Sequence, residues 1–111
     1  MNDRFKVRVW DKVFNRYWTD DEIKENAAWL LFHDNDNINN VEIEQSTGLK
    51  DNNGKLIFEG DIIGMSEGNA LVVWNNQWVL NFGDFSEPFW HFTIARHTII
   101  GNIHENPELL K

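Results

Sequence analysis

The sequence has no cysteine and two prolines, and it contains no long apolar run. Without cysteine there is no disulfide, no thiolate metal site and no cysteine nucleophile, so apolar burial must stabilise the fold. The start, Met1–Arg4, carries no signal-like apolar run, and no window approaches the ~20 apolar residues of a membrane span. We therefore expect a soluble, cytoplasmic protein.

Basic residues are also scarce, and they are unevenly placed. Ten lysines and arginines stand against eighteen acids, which gives a formal net charge of -8. Residues 1–16 hold five bases and two acids, whereas residues 17–111 hold five bases and sixteen acids. Because nucleic-acid binding needs clustered positive charge, most of the chain would repel a duplex. The basic start is either a solvated strand face or a surface attracted to the acidic body of another subunit.

The pattern of apolar residues predicts a mainly β fold. Phe5, Val7 and Val9 alternate with basic residues, as in a half-buried strand, and a second short strand is expected at 41–44. Residues 20–32 begin with acids and continue with apolar residues three or four apart, which predicts a helix capped by Asp20. The polar run 33–40 is expected to form a loop.

The second part of the chain is typical of a small antiparallel barrel. Asn53-Gly54 predicts a type I′ hairpin turn, and Asn75-Asn76 predicts a two-residue turn that places Val73 opposite Trp78. Further strands are expected at 89–95 and 98–103, followed by one helical turn from Pro107. We divide the chain into an N-terminal β and helical extension, 1–44, which is a candidate oligomerisation element, and a barrel domain, 45–111.

The segment 45–63 reads QSTGLKDNNGKLIFEGDII and is the most specific stretch of the sequence. It resembles the signature of the YopX family of phage and prophage proteins, as do Arg8–Asp11 at the start and Ile99–Leu110 at the end. The resemblance implies a protein of the bacterial host cell with a largely β fold, a C-terminal domain similar to SH3-type barrels, and self-association. It implies no catalytic residue.

The residues of this segment have structural interpretations. We expect Asn53-Gly54 to form the turn and Ile57 and Ile62 to point into the barrel. Gly60 would permit a tight bend or bulge, and Asp61 would accept hydrogen bonds from nearby backbone amides. The segment is thus interpreted as a folding signature rather than a ligand loop.

Two motifs suggest chemistry that their context does not support. Gly64–Gly68 fits the G-x-S-x-G pattern of a hydrolase, but a strand pattern follows it where a helix is required, so we expect a connection between strands. The acidic loop around Asp34 and Asp36 lacks the glycine and the final glutamate of a calcium-binding EF-hand. His33, His91, His97 and His104 lack the short spacing of zinc ligands.

Six tryptophans could form a platform for bases or sugar rings, but residues 70–95 contain no lysine or arginine for a nucleic-acid groove. We expect most aromatic rings to fill the core or a subunit interface, with Trp18 and Trp74 reaching the surface.

We therefore predict a homo-oligomeric protein-interaction module without catalysis, cofactor or metal, whose partner protein is not identifiable from the sequence. Its candidate interface residues are Arg4, Lys6, Arg8, Trp18 and Trp74. Direct nucleic-acid binding and membrane association are not expected. Two alternatives remain: a nucleic-acid-associated small barrel, and an acidic mimic of nucleic acid that inhibits a host enzyme.

Overall fold

The structure is a computed structural model that describes residues 6–26, 40–89 and 96–110. The chain divides into two compact units, one of residues 7–44 and one of residues 1–6 with 45–111. Antiparallel strands dominate, and the described residues include one short α-helix. In this part of the chain, no helix is long and apolar enough to cross a membrane. The prediction of a mainly β protein is confirmed.

The unit of residues 7–44 contains a small sheet and the helix. Its described elements are β1 (Val7–Asp11), β2 (Arg16–Tyr17), α1 (Asp20–Glu25) and the beginning of β3 (Val41–Lys50). β1 lies between β2 and β3. Val9 and Val41 are buried, and Trp18, Ile23 and Ile43 pack against them.

The helix α1 begins with a capping box. The hydroxyl of Thr19 accepts a hydrogen bond from the Glu22 amide at 3.2 Å, and the Glu22 carboxylate accepts one from the Thr19 amide at 2.8 Å. The predicted cap at Asp20 is therefore wrong, because Asp20 is the first helical residue. α1 ends at Glu25, and the remainder of the predicted helix, residues 27–32, lies outside the described residues, as do 33–39 of the predicted loop.

The described residues of the larger unit form the end of β3 and six further strands. They are β4 (Leu56–Phe58), β5 (Asp61–Met65), β6 (Gly68–Trp74), β7 (Trp78–Asn81), β8 (Ser86–Pro88) and β9 (Thr98–Asn102). The strand order β8-β7-β6-β5-β9 is antiparallel throughout, and the curled sheets of the fold form a half-barrel. The predicted antiparallel barrel class is confirmed. Its buried core contains Ile57, Ile63, Ala70, Val72, Leu80 and Phe89.

The hairpin of β6 and β7 has a different register from the predicted one. Trp74 pairs with Trp78 across a three-residue loop, so Val72, and not Val73, faces the core beside Leu80. The loop is longer than predicted because Asn76 adopts a φ of 60° and the Asn75 amide donates to the Gln77 carbonyl. Adding one loop residue moves every side chain of one strand to the other face.

The turn at Asn53-Gly54 also differs from the predicted type. Gly54 has a φ of 79°, but Asn53 is not in the left-handed region, so a type I′ turn is excluded. The turn starts at Asp51, whose carbonyl accepts from the Gly54 amide at 3.0 Å and whose amide donates to the Lys55 carbonyl at 2.9 Å.

The observed elements near the end of the chain agree more closely with the predicted ones. β9 confirms the strand predicted at 98–103, and Pro107–Leu110 forms the predicted helical turn as a 3₁₀-helix. β8 ends at Pro88, just before the strand predicted at 89–95. Residues 90–95 of that predicted strand lie outside the described residues.

Candidate interaction surface

The β1–β2 hairpin ends in a four-residue turn, Lys12–Asn15, which we call the hairpin tip. Trp10 pairs with Tyr17 and Asp11 with Arg16, so the tip begins directly after the last strand pair. Asn15 has a φ of 56°, a conformation that asparagine tolerates better than most residues, and it returns the chain into β2. The turn is therefore a tight connection between two paired strands.

The side chain of Asp11 holds the backbone of the hairpin tip through hydrogen bonds. Its Oδ1 accepts hydrogen bonds from the amides of Val13 at 2.8 Å and Phe14 at 3.0 Å, and its Oδ2 accepts one from Trp18 Nε1 at 3.0 Å. The hydrogen bonds from the Phe14 amide and the Trp18 indole N–H lower the pKa of Asp11 below its ordinary value of 3.8. Because Asp11 is 8% exposed, these bonds are shielded from water and hold the backbone of the tip in one conformation.

The hairpin tip exposes two large apolar side chains to solvent. Val13 is 60% exposed and Phe14 is 70% exposed, and Phe14 is the most exposed large apolar residue in the described part of the chain. Isolated apolar side chains on a surface need no explanation, but two adjacent ones on a turn held by hydrogen bonds form a candidate interaction site. The sequence analysis did not identify these residues.

A cleft of about 380 Å³ lies beside the hairpin tip, and we call it the tip cleft. Its lining residues are Asp11, Val13, Phe14, Trp18, Asn26, Asn40 and Val41. Trp18 was predicted to reach the surface, and it is partly buried here, with its indole N–H bound to Asp11. The cleft and the exposed side chains therefore belong to one continuous surface.

One basic residue of the predicted interface, Arg8, is bound to an acid of its own chain. Arg8 Nε lies 2.7 Å from Glu44 Oε1, which also accepts a hydrogen bond from the Tyr17 hydroxyl at 3.0 Å. The Arg8 guanidinium lies 4.6 Å from the centre of the Tyr17 ring, a cation–π contact. Arg8 is thus part of a buried polar cluster, and its charge is compensated within the unit.

The two bases beside the hairpin tip are paired as well. Arg16 forms two hydrogen bonds of 2.9 Å with the Glu22 carboxylate, and Lys12 lies 3.4 Å from Glu42. Lys6 is exposed, and Arg4 lies outside the described residues. Three of the five bases at the start of the sequence are therefore paired with acids that follow them in the chain.

The other predicted interface residue, Trp74, lies in the larger unit. It is 49% exposed at the end of β6, and its ring meets Trp78 edge to face with centroids 5.1 Å apart. Trp78 packs against the core, including Phe89 at 6.4 Å. The prediction that Trp74 reaches the surface agrees with its exposure.

The G-x-S-x-G motif forms the connection between β5 and β6. Met65 pairs with Gly68, so Ser66 and Glu67 are the two residues of a hairpin turn. The Ser66 hydroxyl donates to the Glu67 carboxylate at 2.6 Å. The predicted strand connection is confirmed, and the strand-to-helix geometry of a hydrolase nucleophile does not occur at this motif.

The segment 45–63 has several of the structural roles that were predicted for it, but its turn is not of type I′, and Ile62, unlike Ile57 and Ile63, does not belong to the core cluster of the larger unit. Ile57 and Ile62 are buried, and Gly60 has a φ of 89° in the turn before β5. Asp61 Oδ2 accepts a hydrogen bond from the Phe58 amide at 2.9 Å. An unpredicted contribution comes from Asp51, whose buried carboxylate accepts from three amides.

Those three bonds connect the Asp51 turn with β9. The amides of Asn53 and Lys55 donate to Oδ1 at 2.9 Å, and the amide of Ile99 donates to Oδ2 at 3.0 Å. Burial by itself would raise the pKa of Asp51, but the amides of Ile99, Lys55 and Asn53 outweigh it and lower the pKa below 3.8. Segment 45–63 therefore contributes to the folded structure of the larger unit.

Comparison with other proteins agrees with this fold. The chain is similar to protein EF1440 from Enterococcus faecalis, known from a crystal structure, with 25% sequence identity and a TM-score of 0.64. The match covers 96% of this chain and 97% of that chain. A comparison with curated proteins gives no match. The YopX protein family profile matches residues 6–111, and the chain therefore belongs to the YopX family.

Proposed function

We propose that this protein is a non-catalytic accessory protein of a phage or prophage, which acts in the bacterial cytoplasm as a self-associating protein-interaction module. The observation that carries the proposal is the hairpin tip, where Val13 and Phe14 are held in solvent by a buried carboxylate. The phage origin is supported by the resemblance of segment 45–63 to a phage and prophage family signature.

The hairpin tip suits binding because its backbone is already ordered. Burying an exposed valine or phenylalanine is worth about 1.5–3 kcal/mol per side chain, but association must also offset the loss of freedom of the residues involved. The two hydrogen bonds from the Val13 and Phe14 amides to Asp11 hold the turn before a partner arrives, which lowers this entropic cost. A binding surface of this kind needs no catalytic group.

A nucleic-acid-associated module has less support. It would need a contiguous patch of Arg4, Lys6, Arg8, Lys12 and Arg16 to contact phosphates. The last three each have a side-chain nitrogen within 3.4 Å of a carboxylate oxygen of their own chain. Phosphate binding would first have to break these pairs. Retention of a labelled duplex or single strand in a gel-shift assay at low salt would restore this alternative.

Self-association is tested by light scattering at micromolar concentration and physiological salt. We expect a molar mass above the 13.1 kDa of one chain, and a mass of one chain for Phe14→Ser. Leu49→Ser is the matched control, because Leu49 is a similarly apolar side chain that is 47% exposed in the other unit. A wild-type protein that is monomeric under these conditions, or a Phe14→Ser variant that still associates, would contradict the proposal.

A further inference from the structure

We propose that Asn53 is a latent site of deamidation, and that opening of the turn held by Asp51 controls the rate of this modification. Asn53-Gly54 is the only Asn-Gly pair in the sequence, and both residues are exposed. Glycine after asparagine favours the reaction, because it has no Cβ to obstruct the approach of its nitrogen to the asparagine side chain. The proposal does not depend on the function proposed for the hairpin tip.

The reaction needs only water as a co-reactant. The Gly54 nitrogen loses its amide proton and attacks Cγ of Asn53, so that an N–Cγ bond forms and the Cγ–Nδ2 bond breaks. Nδ2 takes up a proton and leaves as ammonia. Water then opens the cyclic imide at either carbonyl, which gives aspartate or isoaspartate at this position. No group is oxidised or reduced, and the chain gains a negative charge.

The folded turn holds the proton that must leave. The Gly54 amide donates to the Asp51 carbonyl at 3.0 Å, and the amides on either side of it, those of Asn53 and Lys55, donate to Asp51 Oδ1 at 2.9 Å. Three consecutive amides are thus bound to one residue. The Gly54 nitrogen must break its bond before it can lose the proton and approach the side chain of Asn53, which requires local opening of the structure.

Asp51 is itself fixed in the larger unit. It is buried, its Oδ2 accepts a hydrogen bond from the Ile99 amide of β9 at 3.0 Å, and its own amide donates to the Lys55 carbonyl at 2.9 Å. Because Asp51 is shielded from water, its bonds are stronger than those of an exposed turn. The most reactive dipeptide of the sequence is therefore held in a protected conformation.

The isoaspartate product cannot restore this turn. It adds a methylene group to the main chain between the Asn53 and Lys55 amides, which share Asp51 Oδ1 as their acceptor. Both bonds therefore cannot re-form with their original geometry. The modification is thus a permanent record of the time that the turn has spent open.

The decisive experiment compares the folded chain with the chain unfolded in guanidinium chloride, both at mildly alkaline pH. Peptide mass spectrometry after chromatographic separation measures asparagine, aspartate and isoaspartate at position 53. We expect both products in the unfolded chain, and a rate at least about tenfold lower in the folded chain. A smaller difference would show that the turn does not protect Asn53. An unreactive unfolded chain would show that Asn53 is not a modification site.

Two variants separate opening of the turn from global unfolding. Asp51→Ala removes the side-chain acceptor and should raise the rate at Asn53 about tenfold in the folded chain. Asp61→Ala is the matched control, because Asp61 is also buried and accepts a backbone amide, that of Phe58, outside the turn. Equal acceleration in both variants would mean that deamidation follows global unfolding, and the inference would be wrong.

Hydrogen exchange in the unmodified chain guards against a variant that does not fold. The Gly54 amide should exchange at least about tenfold more slowly in the folded chain than in the unfolded one. Low concentrations of guanidinium chloride should raise its exchange rate and the deamidation rate of Asn53 together. Unprotected exchange at Gly54, or deamidation that does not follow this exchange, would overturn the inference.

Discussion

The indole Nε1 of Trp18 donates a 3.0 Å hydrogen bond to Oδ2 of Asp11, and so links the residue after β2 to the last residue of β1. The other oxygen of the same carboxylate holds the amides of Val13 and Phe14. One buried side chain therefore connects the small core of the unit of residues 7–44 with its most exposed apolar residues.

Replacing Asp11 with alanine should destabilise the protein by about 1–3 kcal/mol, because the Trp18 N–H and two turn amides lose their acceptor. Urea unfolding measures this loss. Asp11→Asn is the milder control, since its amide oxygen can still accept. Hydrogen exchange at Val13 and Phe14 should accelerate in the alanine variant, and unchanged exchange would show that Asp11 does not order the tip.

Replacing Gly54 with valine should cost roughly 1–2 kcal/mol, because a β-branched residue would be forced to a φ of 79°. The cost is conformational, since a Cβ at this position would meet no atom within 4 Å. Gly54→Asn should cost less, because asparagine tolerates this region. An unchanged melting temperature in the valine variant would contradict the strained turn.

Replacing Gly101 with alanine should destabilise the protein by about 1–3 kcal/mol through overpacking. The new Cβ would lie 2.5 Å from Asn106 Oδ1, which accepts a hydrogen bond from the Asn102 amide at 3.2 Å. Gly64→Ala is the matched control, because its Cβ would lie 3.3 Å from the Cγ2 methyl of Ile100, a much longer approach than the one at Gly101.

A double variant tests the cause of the Gly101 effect. The double variant Gly101→Ala with Asn106→Gly should lose less stability than the sum of the losses of the two single variants. Strict additivity in urea unfolding would mean that the two side chains do not compete for space.

Acid should weaken the fold as Glu22 becomes protonated. The Arg16 hydrogen bond and the Thr19 amide lower the pKa of Glu22 to about 2 from an ordinary value of 4.5. Because the folded-state pKa is the lower one, this stabilisation is present above about pH 4.5 and is lost as pH falls towards about 2. The lowered pKa values of Asp11 and Asp51 act in the same direction below their ordinary value of 3.8.

Thermal melts across that pH range check the acid prediction. The Glu22→Gln variant should show a smaller fall in melting temperature than wild type, and added salt should reduce the difference because Arg16 and Glu22 are partly exposed. Equal slopes for both proteins would mean that the capping pair does not contribute to acid sensitivity.

The sequence predicted the features that depend on local pattern. Alternating residues identified β1, and the apolar periodicity and turn residues identified a small antiparallel barrel. The capping box is also visible in the sequence, since Thr19 and Glu22 have the required spacing, and the acid at position 20 is the first helical residue and not the cap. In the β6–β7 hairpin the error came from Asn76, whose positive φ adds a residue to the loop.

The candidate surface was harder to predict because it depends on contacts between distant residues. Arg8 meets Glu44 across 36 positions, so a basic stretch of sequence becomes a neutralised cluster in the fold. Val13 and Phe14 sit in a turn between Lys12 and Asn15, and sequence alone gave no reason to expect that a buried carboxylate would display them. The residue type of Trp18 was enough to predict it as an interface residue. Only the structure shows that it lines the tip cleft.

The strand β3 crosses the boundary between the two compact units of the chain. Its first residues, Val41–Glu44, belong to the smaller unit, and Gln45–Lys50 belong to the larger one. A cut at this boundary would break a ten-residue strand rather than a linker, and would expose unpaired backbone groups at both new ends. The boundary between the two units therefore lies within one continuous strand and not in a linker.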